Sequence, residues 1–394
     1  MILLKKEIIM SKDPQQYRGF EQGPIRPPSE AYSLLIRVTR NCPWNFCTFC
    51  PVYKGKKFSL RPPEHVKQDI DTVHKWLQMI REKAGNSGRI TQGDVSDLAQ
   101  SVKADEENAF YAALNWFASG MKSIFLQDAN SLIIKPADFT YILQHLRKCF
   151  PDTERITSYA RSHTIARIRD DDLKAFREAG LNRIHIGMES GSDEVLKLVR
   201  KGSTKEIHIK AGLKVKQAGM DLSEYVMPGL GGKKFSEIHA RETADAINQI
   251  NPDFIRLRTL AIPNRIPLFA DYQSGSFEKC SDLMMAKEIL LFIEQLNGIT
   301  STLKSDHILN LFQEVEGIFP KDKAYMTGIL KKFLDMPPQE QCYYQVGRRL
   351  GIFHELADMN SPQRMRKVEK FCRENDITPD KADTVIDELM KRFI

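Results

Sequence analysis

Short apolar runs alternate with longer amphipathic stretches through the middle of the chain. Apolar runs at 33–39, 123–126, 155–157, 183–186, 222–226 and 254–257 each predict a strand. Between them, apolar positions recur at helical spacing and predict helices over 62–83, 105–119, 136–148, 170–179, 192–217 and 235–250. Pro62-Pro63-Glu64 opens the first helix with proline in its favoured first turn, and Ala179-Gly180 and Ala218-Gly219 supply glycine stops. Residues 84–104 are polar and weakly periodic, as expected of an insertion. Repeated β-then-α units predict an α/β fold with a parallel sheet and right-handed crossovers. Six such strands fit an open or closed (β/α) barrel, whose chemistry sits at the C-terminal strand ends.

The flanks differ from this middle. Residues 1–29 contain Gly23-Pro24-Ile25-Arg26-Pro27-Pro28 and predict an extended arm. Met10 is a candidate start, with the preceding residues an upstream extension. Residues 276–394 are mainly helical, with one further apolar run at 298–303 and new helix starts at Pro337-Pro338, Ser361-Pro362 and Thr378-Pro379. The expected plan is an arm (1–29), a barrel (30–275) and a helical region (276–394) that caps a substrate.

Composition narrows the picture little. With 394 residues, 42% hydrophobic and 28% charged, the chain is long enough to bury a sizeable core. No apolar stretch approaches the roughly 20 residues of a membrane span, and a cytoplasmic protein is expected. The net charge of +7 is modest and forms no long block; it is compatible with an anionic substrate, with RNA, or with an ordinary solvated surface. Four of the seven cysteines (Cys149, Cys280, Cys342 and Cys372) are scattered and read as small buried apolar residues.

The other three are concentrated. Cys42, Cys47 and Cys50 lie in Asn41-Cys42-Pro43-Trp44-Asn45-Phe46-Cys47-Thr48-Phe49-Cys50, directly after the first strand. Three such thiolates can hold three irons of a 4Fe–4S cluster and leave the fourth open to a ligand. The alternatives are a zinc site completed by His65 or His74, a cluster closed by a distant cysteine, or three unrelated buried thiols. Phe49 must sit near the cluster, where an aromatic ring can pack against a heterocycle.

The loop resembles the signature of the radical S-adenosylmethionine (radical SAM) superfamily, with an aromatic just before the last cysteine. The resemblance spans roughly 30–265. The downstream order also resembles the branch containing tRNA methylthiotransferases, the elongator catalytic subunit and the oxygen-independent coproporphyrinogen dehydrogenase. It departs in one respect: Cys42 and Cys47 are separated by four residues, where the usual gap is three. The resemblance implies a partial (β/α)6 TIM-like barrel, a 4Fe–4S cluster and S-adenosyl-L-methionine. It also implies a one-electron reductant such as flavodoxin or ferredoxin. Reductive cleavage of the cofactor to a 5′-deoxyadenosyl radical and hydrogen abstraction from a substrate would follow. A small-molecule substrate is the favoured expectation, RNA the alternative. A non-catalytic iron–sulfur or zinc scaffold is the competing class.

The same resemblance places cofactor contacts at successive strand ends. Gln127-Asp128-Ala129-Asn130 stands where relatives have a Gly-Gly-Glu-like turn, so Asp128 and Asn130 would accept from the cofactor's amino group. Ser158 and Arg161 follow the third strand. Glu189, in Ile186-Gly187-Met188-Glu189-Ser190-Gly191, stands where relatives bind the ribose, and Arg200 or Lys201 would meet the carboxylate. Gly229 belongs to a glycine-rich turn that would let backbone approach, and Arg258 would follow at the rim after the sixth strand. Ser305, Asp306, His307 and Asn310 would face the substrate if the run at 298–303 adds a strand.

Overall fold

The computed structural model describes residues 16–390. Met10 and the first half of the arm lie outside the described residues. Ten strands follow in order: β1 (Leu34–Arg37), β2 (Thr39–Arg40), β3 (Ser59–Leu60), β4 (Ser123–Gln127), β5 (Arg155–Ala160), β6 (Arg183–Glu189), β7 (Asp221–Val226), β8 (Phe254–Leu257), β9 (Thr302–Lys304) and β10 (Gly317–Ile318). All but β2 and β3 join one sheet in the order β1-β4-β5-β6-β7-β8-β9-β10. The pairs from β1 to β9 are parallel, and β10 closes the edge antiparallel. The result is an α/β sheet curved into a partial barrel, with β2 and β3 forming a separate antiparallel pair beside the cysteine loop.

Both faces of the sheet are covered: the outward positions are aliphatic, and the inward ones include buried polar side chains such as Thr157, His185 and Ser223. Ile124, Ile156, Ile184, Leu222 and Ile255 point outward and are fully buried beneath helices. The helix Pro63–Ala84 supplies Val66, Ile70, Val73, Leu77 and Ile80 at the three- and four-residue spacing that makes one face, each fully buried. Burial of each contributes about 1.5–3 kcal/mol. Inside the barrel, Phe125, Tyr159, His185 and Tyr225 come from adjacent strands and pack ring against ring, with centroids 5.3–5.6 Å apart from one to the next. These rings plug the middle of the barrel. Glu30 lies beneath them, fully buried against His185 and Arg155.

Several boundaries differ from expectation. β5 and β6 each run three residues further than their apolar cores, because the added positions Ser158 to Ala160 and Gly187 to Glu189 continue the ladder at the barrel mouth. The helix expected over 192–217 is two, Asp193–Leu198 and Lys205–Gln217, broken where Arg200 (φ 53°) and Gly202 (φ 66°) turn left-handed. Glycine is required at 202: a Cβ there would stand 2.4 Å from the Trp44 ring. The stretch 84–104 contains a short helix, Gln92–Ala99, capped by a reciprocal Thr91–Asp94 pair.

The run at 298–303 leads into β9, so the C-terminal third of the chain contributes to the sheet. Its helices Lys323–Leu334, Pro338–Arg349, Pro362–Glu374 and Ala382–Met390 pack around Phe312, Phe333, Tyr344 and Phe353. Among the described residues, no helix is long and apolar enough to cross a membrane.

Candidate active site

The cysteine loop is fastened at the C-terminal end of β1 by contacts distant in sequence. Asp128, just past β4, is fully buried and its carboxylate is saturated. It accepts from Arg37 Nε (2.9 Å) and Nη2 (2.7 Å), from the Asn41 backbone N–H (3.1 Å) and from the Tyr53 hydroxyl (2.7 Å). On the far side, Trp44 Nε1 donates to the Arg200 carbonyl (2.8 Å), and the Arg161 guanidinium lies 5.1 Å from the Trp44 ring. The Thr48 N–H donates to Val199 O (3.0 Å), and Thr48 O accepts from the Leu268 N–H (3.1 Å). The extra residue between Cys42 and Cys47 is absorbed locally. Asn45 turns left-handed (φ 48°), its Nδ2 donates to Tyr53 O (2.6 Å), and Phe46 swings out to 65% exposure.

The three cysteines are free thiols at intermediate burial, and all three line the same cavity. Burial pushes the Cys47 and Cys50 thiols up, while the nearby Lys201 ammonium opposes that rise. Among the described residues, the one grouping with three His, Cys, Asp or Glu ligand atoms within 4.8 Å of one another is Asp71, His145 and Cys149, on the outer surface. The loop sulfurs therefore do not all come that close. A single tetrahedral zinc with Zn–S of about 2.3 Å needs its sulfurs about 3.8 Å apart. A cubane places each thiolate on a different iron and needs its sulfurs further apart than that.

The cavity has a volume of about 430 Å³ and sits over the aromatic plug, with Tyr159 and Tyr225 as its floor. Phe49, Arg161, Glu189, Lys201 and Arg258 all line it. Lys201 Nζ donates to Glu189 Oε1 (3.1 Å) and lies 5.7 Å from the Phe49 ring centroid. Burial pulls the Lys201 ammonium down, but Glu189 and Cys47 more than restore it, so the group is held above its ordinary range and charged. Arg161 Nη2 donates to the Lys201 and Gly202 carbonyls (3.1 and 3.3 Å).

Other expected contacts are not brought to this cavity. Asp128 is occupied as described. Asn130 is fully buried between Thr164, to whose hydroxyl its Nδ2 donates (2.9 Å), and the Arg161 N–H (3.0 Å). Ser158 is buried within β5, its hydroxyl directed to Tyr159 O (3.3 Å). Arg200 is exposed, and its carbonyl receives the Trp44 bond. Gly229 (φ 81°) is turned away; its N–H donates to Glu288 Oε1 (2.7 Å).

Of the four polar residues after β9, His307 alone lines the cavity. Ser305 donates to Phe312 O (2.6 Å), Asp306 accepts from Arg256 Nη1 (2.8 Å), and Asn310 is tied to Thr259 and Leu257 O.

Sequence reasoning missed His208 and Arg265, both on the cavity wall. His208 is fully buried on the helix Lys205–Gln217, with Nδ1 against Ser162 Oγ (2.6 Å) and Nε2 without a protein partner. Burial, then Lys201 and Arg161, depress it to about 3, so it is neutral. Its neighbours Ile207 and Ile209 gave no signal beyond an ordinary helix face. Arg265 sits in a loop with no periodicity to read.

The sequence model described as the Radical SAM superfamily matches residues 36–243. A CDK5RAP1-like protein of Caenorhabditis elegans is 24% identical over 195 residues, 48% of this chain and 32% of that protein. A tRNA-2-methylthio-N(6)-dimethylallyladenosine synthase of Christiangramia forsetii is 23% identical over 201 residues, 50% of this chain and 36% of that protein. The chain thus spans about a third of the length of these curated relatives. Among solved structures, the Escherichia coli coproporphyrinogen III oxidase aligns with a TM-score of 0.44 and 16% identity, covering 67% of this chain and 52% of that one.

Proposed function

The chain belongs to the radical SAM superfamily, and from that premise we propose that Cys42, Cys47 and Cys50 hold a 4Fe–4S cluster whose fourth iron is left for S-adenosylmethionine. Enzymes of this superfamily use both groups and need a one-electron reductant; a flavodoxin or ferredoxin would serve. When bound, the two groups would supply one-electron reductive cleavage of a C–S bond and, from it, abstraction of a hydrogen atom from a substrate.

The chain's own residues position and shield that chemistry. Glu189 would accept from the ribose hydroxyls, and Lys201, fixed beside it, would donate to the methionyl carboxylate. Phe49 offers an apolar face to the adenine. Arg161 braces the loop carrying Lys201 and stands beside Trp44 of the cysteine loop, so the two walls are held in one geometry. The aromatic plug closes the cavity from below and keeps water out of the barrel.

The observation that carries this reading is the convergence of three widely spaced free cysteines with a Lys–Glu pair on one cavity wall. Anaerobic reconstitution followed by dithionite and S-adenosylmethionine tests it. 5′-Deoxyadenosine should form in the native protein and not in Cys47→Ala; equal yields from both would refute it. A small molecule is the substrate we favour, because the loop after β9 places His307, Ile308 and Leu309 against the cavity. RNA is the second reading, supported by the relative named as a tRNA-modifying synthase; retention of tRNA in a gel-shift assay would favour it.

A further inference from the structure

Part of the cavity lining offers hydrogen-bond donors from which no described residue accepts. Glu189 is the one carboxylate side chain among the described residues lining the cavity, and it is engaged by Lys201. Arg161 is spent on two backbone carbonyls. Arg258 and Arg265 also line the cavity, both exposed to it, and neither guanidinium has a partner among the described residues.

His307 lines the same cavity, near enough to Arg258 to feel its charge. Its Nδ1 accepts from the Leu309 N–H (3.3 Å), which puts the ring proton on Nε2 and makes that atom a further donor. Burial, then Arg258, depresses His307 to about 4, so the ring is neutral in ordinary buffers. Ile308, Leu309 and Leu260 supply apolar surface beside the three donors. A site of donors without acceptors suits a group that only accepts, and two guanidiniums suit one that is charged.

We propose that Arg258, Arg265 and His307 bind an oxyanion, a carboxylate or a phosphate, carried by a small organic substrate whose apolar body lies along Ile308 and Leu309. This rests on the reading above and adds the substrate's chemical class. It assigns Arg258 to the substrate rather than to the cofactor.

The test is calorimetric titration of the reconstituted, S-adenosylmethionine-loaded enzyme at constant ionic strength, with inorganic phosphate, hexanoate and hexanol as probes. At least one anion should bind and hexanol should not; which anion binds tells phosphate from carboxylate. Arg258→Gln and Arg265→Gln should each weaken binding roughly tenfold or more. Arg258→Lys, which keeps the charge, should fall between native and Gln. Arg366→Gln, a single charge removed from a distant exposed helix position, should bind as the native enzyme does.

The proposal is overturned if neither anion binds, if the double Gln variant binds as tightly as native, or if hexanol binds as well as hexanoate. It is equally overturned if tRNA binding, and no small-anion binding, depends on the two arginines. Deoxyadenosine formation by the native enzyme is measured alongside. Its absence counts against the cofactor reading, whereas its presence without anion binding counts against this one alone.

Discussion

Replacing Asp128 should loosen the cysteine loop although the residue touches none of the cysteines. Its carboxylate is fully buried and takes four hydrogen bonds, two of them from Arg37, whose side chain is 14% exposed. Asp128→Ala leaves a largely buried guanidinium, a backbone N–H and a phenol without their acceptor. Breaking a buried ion pair by removing one partner costs about 3–5 kcal/mol. Arg37 keeps weaker contacts to Asn41 Oδ1 (3.3 Å) and Glu21 (3.6 Å), which argues for the lower end, about 3 kcal/mol. Asp128→Asn keeps the shape and part of the bonding, so about 1–3 kcal/mol is expected. Because Asn41 and Tyr53 flank the loop, the lost order falls on the cysteines. Iron per chain after reconstitution should drop in the order native, Asn, Ala. Denaturant unfolding and iron analysis on the same preparations check this. Asp128→Ala with native stability and full iron would refute the assignment of Asp128 as the anchor of the loop.

Three further outcomes are expected. Lys201→Met should weaken S-adenosylmethionine binding roughly tenfold by calorimetry, since one charge-assisted bond to the carboxylate is lost. Glu224 is fully buried with both carboxylate oxygens unpartnered, and burial, then Glu189, raises it well above its ordinary range. A folded pKa raised above the unfolded one makes stability fall as pH climbs past about 4.5, so the melting-temperature advantage of Glu224→Gln should grow from acid to alkaline buffer. His307 behaves in the opposite sense: its folded pKa of about 4 lies below the unfolded 6.5, so the unfolded chain takes the proton first and stability is lost as pH falls through that window. His307→Gln should flatten the melting profile between those limits.

The barrel was legible because its strands carry short apolar runs, buried outward beneath helices whose own stripes are one-sided. The strand ends were not. Ser158, Tyr159 and Glu189 are polar, and the ladder continues through them only because neighbouring strands offer partners. The break at Arg200 was hidden for a similar reason: the glycine at 202 is demanded by Trp44, more than 150 residues away in the chain. The cysteines and Phe49 stand out by short-range spacing and Glu189 by the resemblance of its strand end, and all five line the cavity. Asp128 lay on the expected turn, yet its carboxylate is committed to Arg37 and Tyr53, 91 and 75 residues distant, a pairing no local pattern encodes. That Lys201 and not Arg200 lines the cavity likewise depends on one left-handed residue, which leaves Arg200 exposed.

The claim on which the rest depends is a cluster tied to the protein at three corners. Mössbauer spectroscopy of protein reconstituted with ⁵⁷Fe, before and after S-adenosylmethionine, tests it most directly. The account predicts roughly four irons per chain, one of which changes its signal when the cofactor is added while the others hold theirs. Protein without iron, or a cluster whose irons are all indifferent to the cofactor, would contradict it.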